Sequence, residues 1–136
     1  MPYGTISNGD TGSSVRAKLN TLLANYAVNP PITPTPFGGS SGALLSYGTT
    51  YVNVAENAGD SLMLPPAVAG ARVELWAQNN MGNYITVWWN SDTEDTVNGI
   101  VDLIDWFVPT DTQSPTPPLI FLCAVDGAWN CNGELD

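Results

Sequence analysis

The side chains of this chain that could do chemistry are carboxylates, two cysteines and five tryptophans; histidine is missing altogether. Without histidine neither a Ser-His-Asp nor a Cys-His nucleophilic site can be assembled. Two cysteines alone do not complete a usual zinc site, and no glycine-rich loop carries a phosphate-binding lysine. Paired carboxylates remain, as in glycoside hydrolysis. Asp92, Glu94, Asp95, Asp102 and Asp105 are the available set, but their spacing singles out no acid and base. We therefore expect no catalytic residue and no enzyme. The run Asp92-Thr93-Glu94-Asp95 offers oxygen ligands to calcium but lacks the EF-hand pattern. It reads as a solvated loop, so no metal and no cofactor are expected.

The tryptophans are Trp76, Trp88, Trp89, Trp106 and Trp129. Strand parity sets Trp76 on an outward face and sends Trp88 and Trp89 to opposite faces. An outward tryptophan fills a subunit interface or stacks on a sugar ring, so Trp76, Trp88 and Trp89 are the candidate trimer or glycan surface. Cys123 and Cys131 flank an Asp126-Gly127 turn. With a two-residue turn Cys131 faces Leu122, on the opposite side from Cys123. With a three-residue bulged turn the cysteines face each other, the only one of these registers that permits a disulfide. Two free thiols are expected of a protein made inside a cell.

These residues sit in a β-rich body. Arg72 to Ala77 alternates strictly, with Val73, Leu75 and Ala77 on the inner side. Asn79 to Asn83 is turn chemistry, and Tyr84 to Trp89 is a second β-rich run, so the two runs are expected to pair as a hairpin. Asp95 to Gly99 reads as a turn, Ile100 to Val108 as an apolar segment, and Leu119 to Trp129 as a closing hairpin about Asp126-Gly127. With candidate strands at 43–47, 50–54 and 62–64, about eight short strands are expected. Upstream, Val15, Leu19, Leu22, Leu23 and Tyr26 fall on one face of a short helix. Asp10 or Ser13 is its expected cap, and Asn29-Pro30-Pro31 its stop. The stripe packs either on its own β body or on a neighbouring subunit or shell. The fold class expected is all-β: an antiparallel β-sandwich or jelly-roll-like body with a short helical N-terminal arm. Residues 1–28 form the arm, 29–42 a Pro/Gly/Ser-rich linker, and 43–136 the body.

Charge divides along the same line. Residues 1–27 carry Arg16 and Lys18 against Asp10, a net +1, and residues 28–136 carry Arg72 against twelve acids, a net −11. The overall −10 argues against nucleic-acid binding. No apolar run is long enough for a membrane helix. The N-terminus lacks the basic start and apolar stretch of a secretory signal, which implies synthesis in the cytoplasm.

The order Leu64-Pro65-Pro66-Ala67-Val68-Ala69-Gly70-Ala71, an alternating strand, an Asn-rich turn, Thr96-Val97-Asn98-Gly99 and then Asp126-Gly127-Ala128-Trp129 resembles a β-structured module of tailed-bacteriophage virion surface proteins. Asn8-Gly9-Asp10-Thr11-Gly12 with Arg16-Ala17-Lys18-Leu19-Asn20 resembles the opening segment of some phage fibre and structural proteins. The resemblance implies a homotrimer on the virion surface, either a capsid decoration (cement) protein or a short head or tail fibre. One body without a long shaft favours head decoration. The implied partner is the major capsid protein or another virion protein. The arm residues Val15, Arg16, Lys18, Leu19, Leu22, Leu23 and Tyr26 would bind it. A fibre or glycan-binding module recognising a host surface is the alternative.

Overall fold

The structure, a computed structural model, describes residues 6–36, 42–77, 84–90, 92–99, 104–106 and 118–132, the 104–106 stretch by its backbone. One helix, α1 (Gly12–Asn25), precedes nine strands among these residues: β1 (Ala43–Leu44), β2 (Gly48–Val52), β3 (Asp60–Met63), β4 (Arg72–Ala77), β5 (Ile85–Trp88), β6 (Thr96–Val97), β7 (Ile104–Trp106), β8 (Leu119–Val125) and β9 (Ala128–Cys131). A β-rich fold with one short helix is therefore present, as the composition implies.

The strands form a four-stranded sheet in the order β1-β3-β5-β7 and a five-stranded sheet in the order β2-β4-β8-β9-β6. Up to β7 the chain changes sheet at every strand. Each strand thus serves as the crossover between its neighbours in sequence, and parallel pairing needs such a crossover. β1 with β3, β3 with β5, and β2 with β4 are accordingly parallel, and β6 also runs parallel to β9. Among the described strands β4 with β8, β5 with β7, and β8 with β9 are antiparallel. The expectation of an antiparallel body is corrected to mixed sheets. The expected hairpin of 72–77 with 84–89 is also absent, since β4 and β5 lie in different sheets. Period-two alternation reports a buried face, not a partner. The Asp95–Gly99 turn holds a short strand, β6, before Asn98 takes a left-handed conformation at φ 51°.

Alternation does set the core. Val73 and Leu75 point inward from β4, Thr50 and Val52 from β2, and Phe121 and Cys123 from β8. All but the buried Thr50 join Leu62, Ile85 and Val87 of the smaller sheet in one buried hydrophobic cluster. Trp129 completes it, edge-on to Phe121 with ring centroids 6.4 Å apart. The stretch expected as a linker is tied in where it is described. Val28 and Ile32 bridge to Thr49 and Val52 of β2, and Thr35 bridges to Ser61 of β3. Residues 37–41, 107–117 and the Asn79–Asn83 turn lie outside the described residues.

The closing hairpin forms as expected and starts in the two-residue register, with Val125 opposite Ala128, but leaves it before the cysteines. A bulge between Cys123 and Val125 sets Cys123 opposite Trp129 and Cys131 opposite Phe121. The cysteines share a face, two residues out of step, and no disulfide joins them.

Candidate functional site

Two surfaces carry the residues singled out above. The first is α1. Thr11, not Asp10 or Ser13, is its N-cap, accepting from the Ser14 amide at 3.2 Å. Asp10 is engaged otherwise. Its carboxylate accepts from the Ser7 amide and from Lys18 Nζ at 3.0 Å. The Ser7 hydrogen bond first, and then Lys18, hold its carboxyl below the usual range.

The helix docks by polar and small residues. Asn25, only 3% exposed, donates from Nδ2 to the Gly70 carbonyl at 2.6 Å and accepts at Oδ1 from the Arg72 amide at 2.7 Å. The Ala27 carbonyl accepts from the Thr49 amide at 2.8 Å. Asn20 and Ala24 line a pocket of about 220 Å3 together with Tyr47 and Val68 of the body. The apolar stripe is left largely outside this contact. Val15 and Leu22 are half-buried, and Leu19 is exposed. Leu23 is 67% and Tyr26 74% exposed, and Ile6 before the helix and Val28 after it are exposed as well. Arg16 points to solvent.

The second surface is the outer face of the five-stranded sheet. Register sets Tyr51 of β2 beside Trp76 of β4, and Thr49 beside Glu74. On the other side Glu74 neighbours Ile120 and Arg72 neighbours Leu122. Glu74 organises the group. Its Oε1 accepts from Arg72 at 2.7 Å, and its Oε2 accepts from the Trp76 indole N–H at 3.0 Å and from Thr49 Oγ1 at 3.3 Å. Burial pushes the Glu74 carboxyl up. The Trp76 hydrogen bond, the Arg72 charge and the Thr49 hydroxyl outweigh it, and the net effect is downward.

Trp88 and Trp89 belong elsewhere. They are half-buried, with ring centroids 5.2 Å apart at a 48° tilt. The Trp88 indole N–H donates to Thr86 Oγ1 at 3.0 Å, and Trp89 packs against the core. The opposite-face expectation fails because β5 ends at Trp88, where strand parity stops applying. Trp76 is thus the outward member of the three, and sequence reasoning missed its partner Tyr51. Alternation within β2 marks Tyr51 as outward, but its neighbour depends on a parallel register between strands 25 residues apart in sequence (Tyr51 and Trp76).

No family model matches this chain, and no curated protein or solved structure matches it.

Among the described residues no group of His, Cys, Asp and Glu could hold a metal ion. Asp95, expected in a solvated loop, is buried and accepts from the Ala67 amide and Thr93 Oγ1, while Asp92 and Glu94 are exposed. The side chains of Asp102 and Asp105 lie outside the described residues. No described helix is long and apolar enough to cross a membrane.

Proposed function

We propose that this chain is a structural protein of a bacteriophage particle, a homotrimeric capsid decoration protein held to the head by α1. The carrying observation is the inverted helix. It buries an asparagine against its own body and turns Leu19, Leu23 and Tyr26 to solvent. A helix this short is marginal unless an apolar face is covered. Covering that face with the major capsid protein would remove about 1.5–3 kcal/mol of exposure per large side chain. The phage resemblance supplies the shell and the number three. Two sheets around one core support a sandwich or jelly-roll-like reading of the body.

Heads lacking the protein, incubated with purified variants and sedimented, test this reading. Leu23→Ala and Leu19→Ala should each weaken attachment about tenfold at low and high salt alike, with thermal unfolding unchanged. Arg16→Ala should matter little, because an exposed ion pair is worth about 0–1 kcal/mol and is screened. Attachment that falls steeply with salt while Leu23→Ala is silent would replace the stripe with a charge anchor. A stable monomer by light scattering at micromolar concentration would remove the trimer.

A further inference from the structure

We infer that the outer face of the five-stranded sheet is a binding platform for a neutral carbohydrate, centred on Trp76 and Tyr51. This goes beyond attachment and uses a different surface.

Three observations carry it. First, Tyr51 and Trp76 are register partners on paired strands, whose backbones are about 4.8 Å apart, with 44% of Trp76 and 43% of Tyr51 exposed. Aromatic faces of this kind accept the apolar face of a pyranose ring, which hydrogen-bonds only around its rim. Second, Trp76 is fixed before any ligand arrives. Its N–H is held by Glu74, and Glu74 is held by Arg72 and Thr49. A ring already immobilised loses little conformational freedom on binding. Third, the local charge is balanced. Arg72 is the one basic residue among positions 28–136, against twelve acids, and it lies on this face paired with Glu74. An anionic ligand would meet the −10 of the whole chain, whereas an uncharged one meets a neutral patch with Thr49 and Arg72 at its edge.

A second copy of the chain is a poorer occupant. With Leu122 added to the two rings, the exposed large apolar side chains of this face offer roughly 300 Å2 together, against roughly 800 Å2 per partner in a stable protein interface. A sugar chain needs no such area.

The test uses the full chain with neutral gluco-, galacto- and manno-oligosaccharides and an oligogalacturonate of matched length, read by calorimetry and tryptophan fluorescence. At least one neutral oligomer should bind, and the galacturonate should bind more weakly. Trp76→Ala and Tyr51→Ala should each weaken binding about tenfold at an unchanged unfolding midpoint, and Trp76→Phe should retain most of it. Absence of binding to every neutral oligomer, binding that Trp76→Ala leaves intact, or preference for the acidic oligomer would overturn the inference. So would an oligomer that Trp76→Ala dissociates, since the face would then be a subunit contact. Trp76→Ala should leave head attachment intact, so this inference and the helix anchor fail separately.

Discussion

At the residue scale, Glu74 links stability to pH. Its folded carboxyl lies below the ordinary value near 4.5. A depressed carboxyl stabilises the fold above that ordinary value, and the contribution is lost as pH falls through the folded value. Glu74→Gln should therefore lower the unfolding midpoint at neutral pH, with the gap to wild type closing below about pH 4. Equal gaps at pH 7 and pH 3 would mean that the ion pair contributes nothing through its charge. Cys123 gives a second expectation. Burial pushes its thiol up, and the negative charges of Asp126 and Asp95 add to this, partly offset by hydrogen bonds to the Ala128 and Val125 backbone. The thiolate is the reactive form, so alkylation of the native protein should modify Cys131 first and reach Cys123 only in denaturant. With the pair two residues out of step, mild oxidation should leave an intramolecular disulfide unformed; loss of both thiols without a change in oligomer mass would contradict that register.

At the element scale, the junction of α1 with β2 rests on Gly48. It sits at φ +95°, and a Cβ there would lie 2.4 Å from the Ala27 carbonyl oxygen and 2.6 Å from that of Ala24. Both obstacles are backbone, so neither can rotate away. Gly48→Ala should cost about 2 kcal/mol and loosen the helix end, measured by denaturant midpoint and by faster amide exchange at Ala27 and Asn29. Exchange confined to its wild-type rate would show that the strand, not the helix, absorbs the strain. Such junctions explain what the sequence does and does not disclose. Alternation in 72–77 identifies β4 and its inner face because one face is buried. The Asp126-Gly127 hairpin is legible because its partners are adjacent. The partners of β4 and β5 are not legible, because they are fixed by crossovers between sheets. The bulge at Cys123/Val125 shifts the cysteine register by steps that residue types do not encode. The apolar stripe of α1 is legible as a stripe. That it faces outward follows from Asn25 finding two backbone partners at Gly70 and Arg72, a contact across more than forty residues that periodicity cannot reveal.

At the scale of the whole molecule, the question is how far the body stands without its arm. Every residue of the buried hydrophobic cluster lies at position 45 or later, so removing residues 1–28 takes nothing from it. Among the described contacts, the loss includes the two Asn25 hydrogen bonds, the one from the Thr49 amide to Ala27, and the cover that Asn20 and Ala24 give to Tyr47 and Val68. Asn29, which donates to the Tyr47 carbonyl and Thr50 Oγ1, is retained. With the arm gone, water reaches the Gly70 carbonyl and the Arg72 amide. From these bonds the loss is then their net worth, about 1 kcal/mol each. The truncated chain should unfold cooperatively, with its midpoint lowered by roughly 5 °C per kcal/mol lost. Asn25→Ala sets a useful bound. It strands the same two backbone groups beneath the helix, a penalty of about 1–3 kcal/mol each if the helix stays in place. The chain can escape that penalty by releasing the helix, so the substitution cannot destabilise the body much more than truncation does. Thermal unfolding of the two proteins side by side checks this. A midpoint for Asn25→Ala well below that of the truncated chain, or a truncated chain with no cooperative transition, would mean that the arm is part of the folding unit and not a docked attachment.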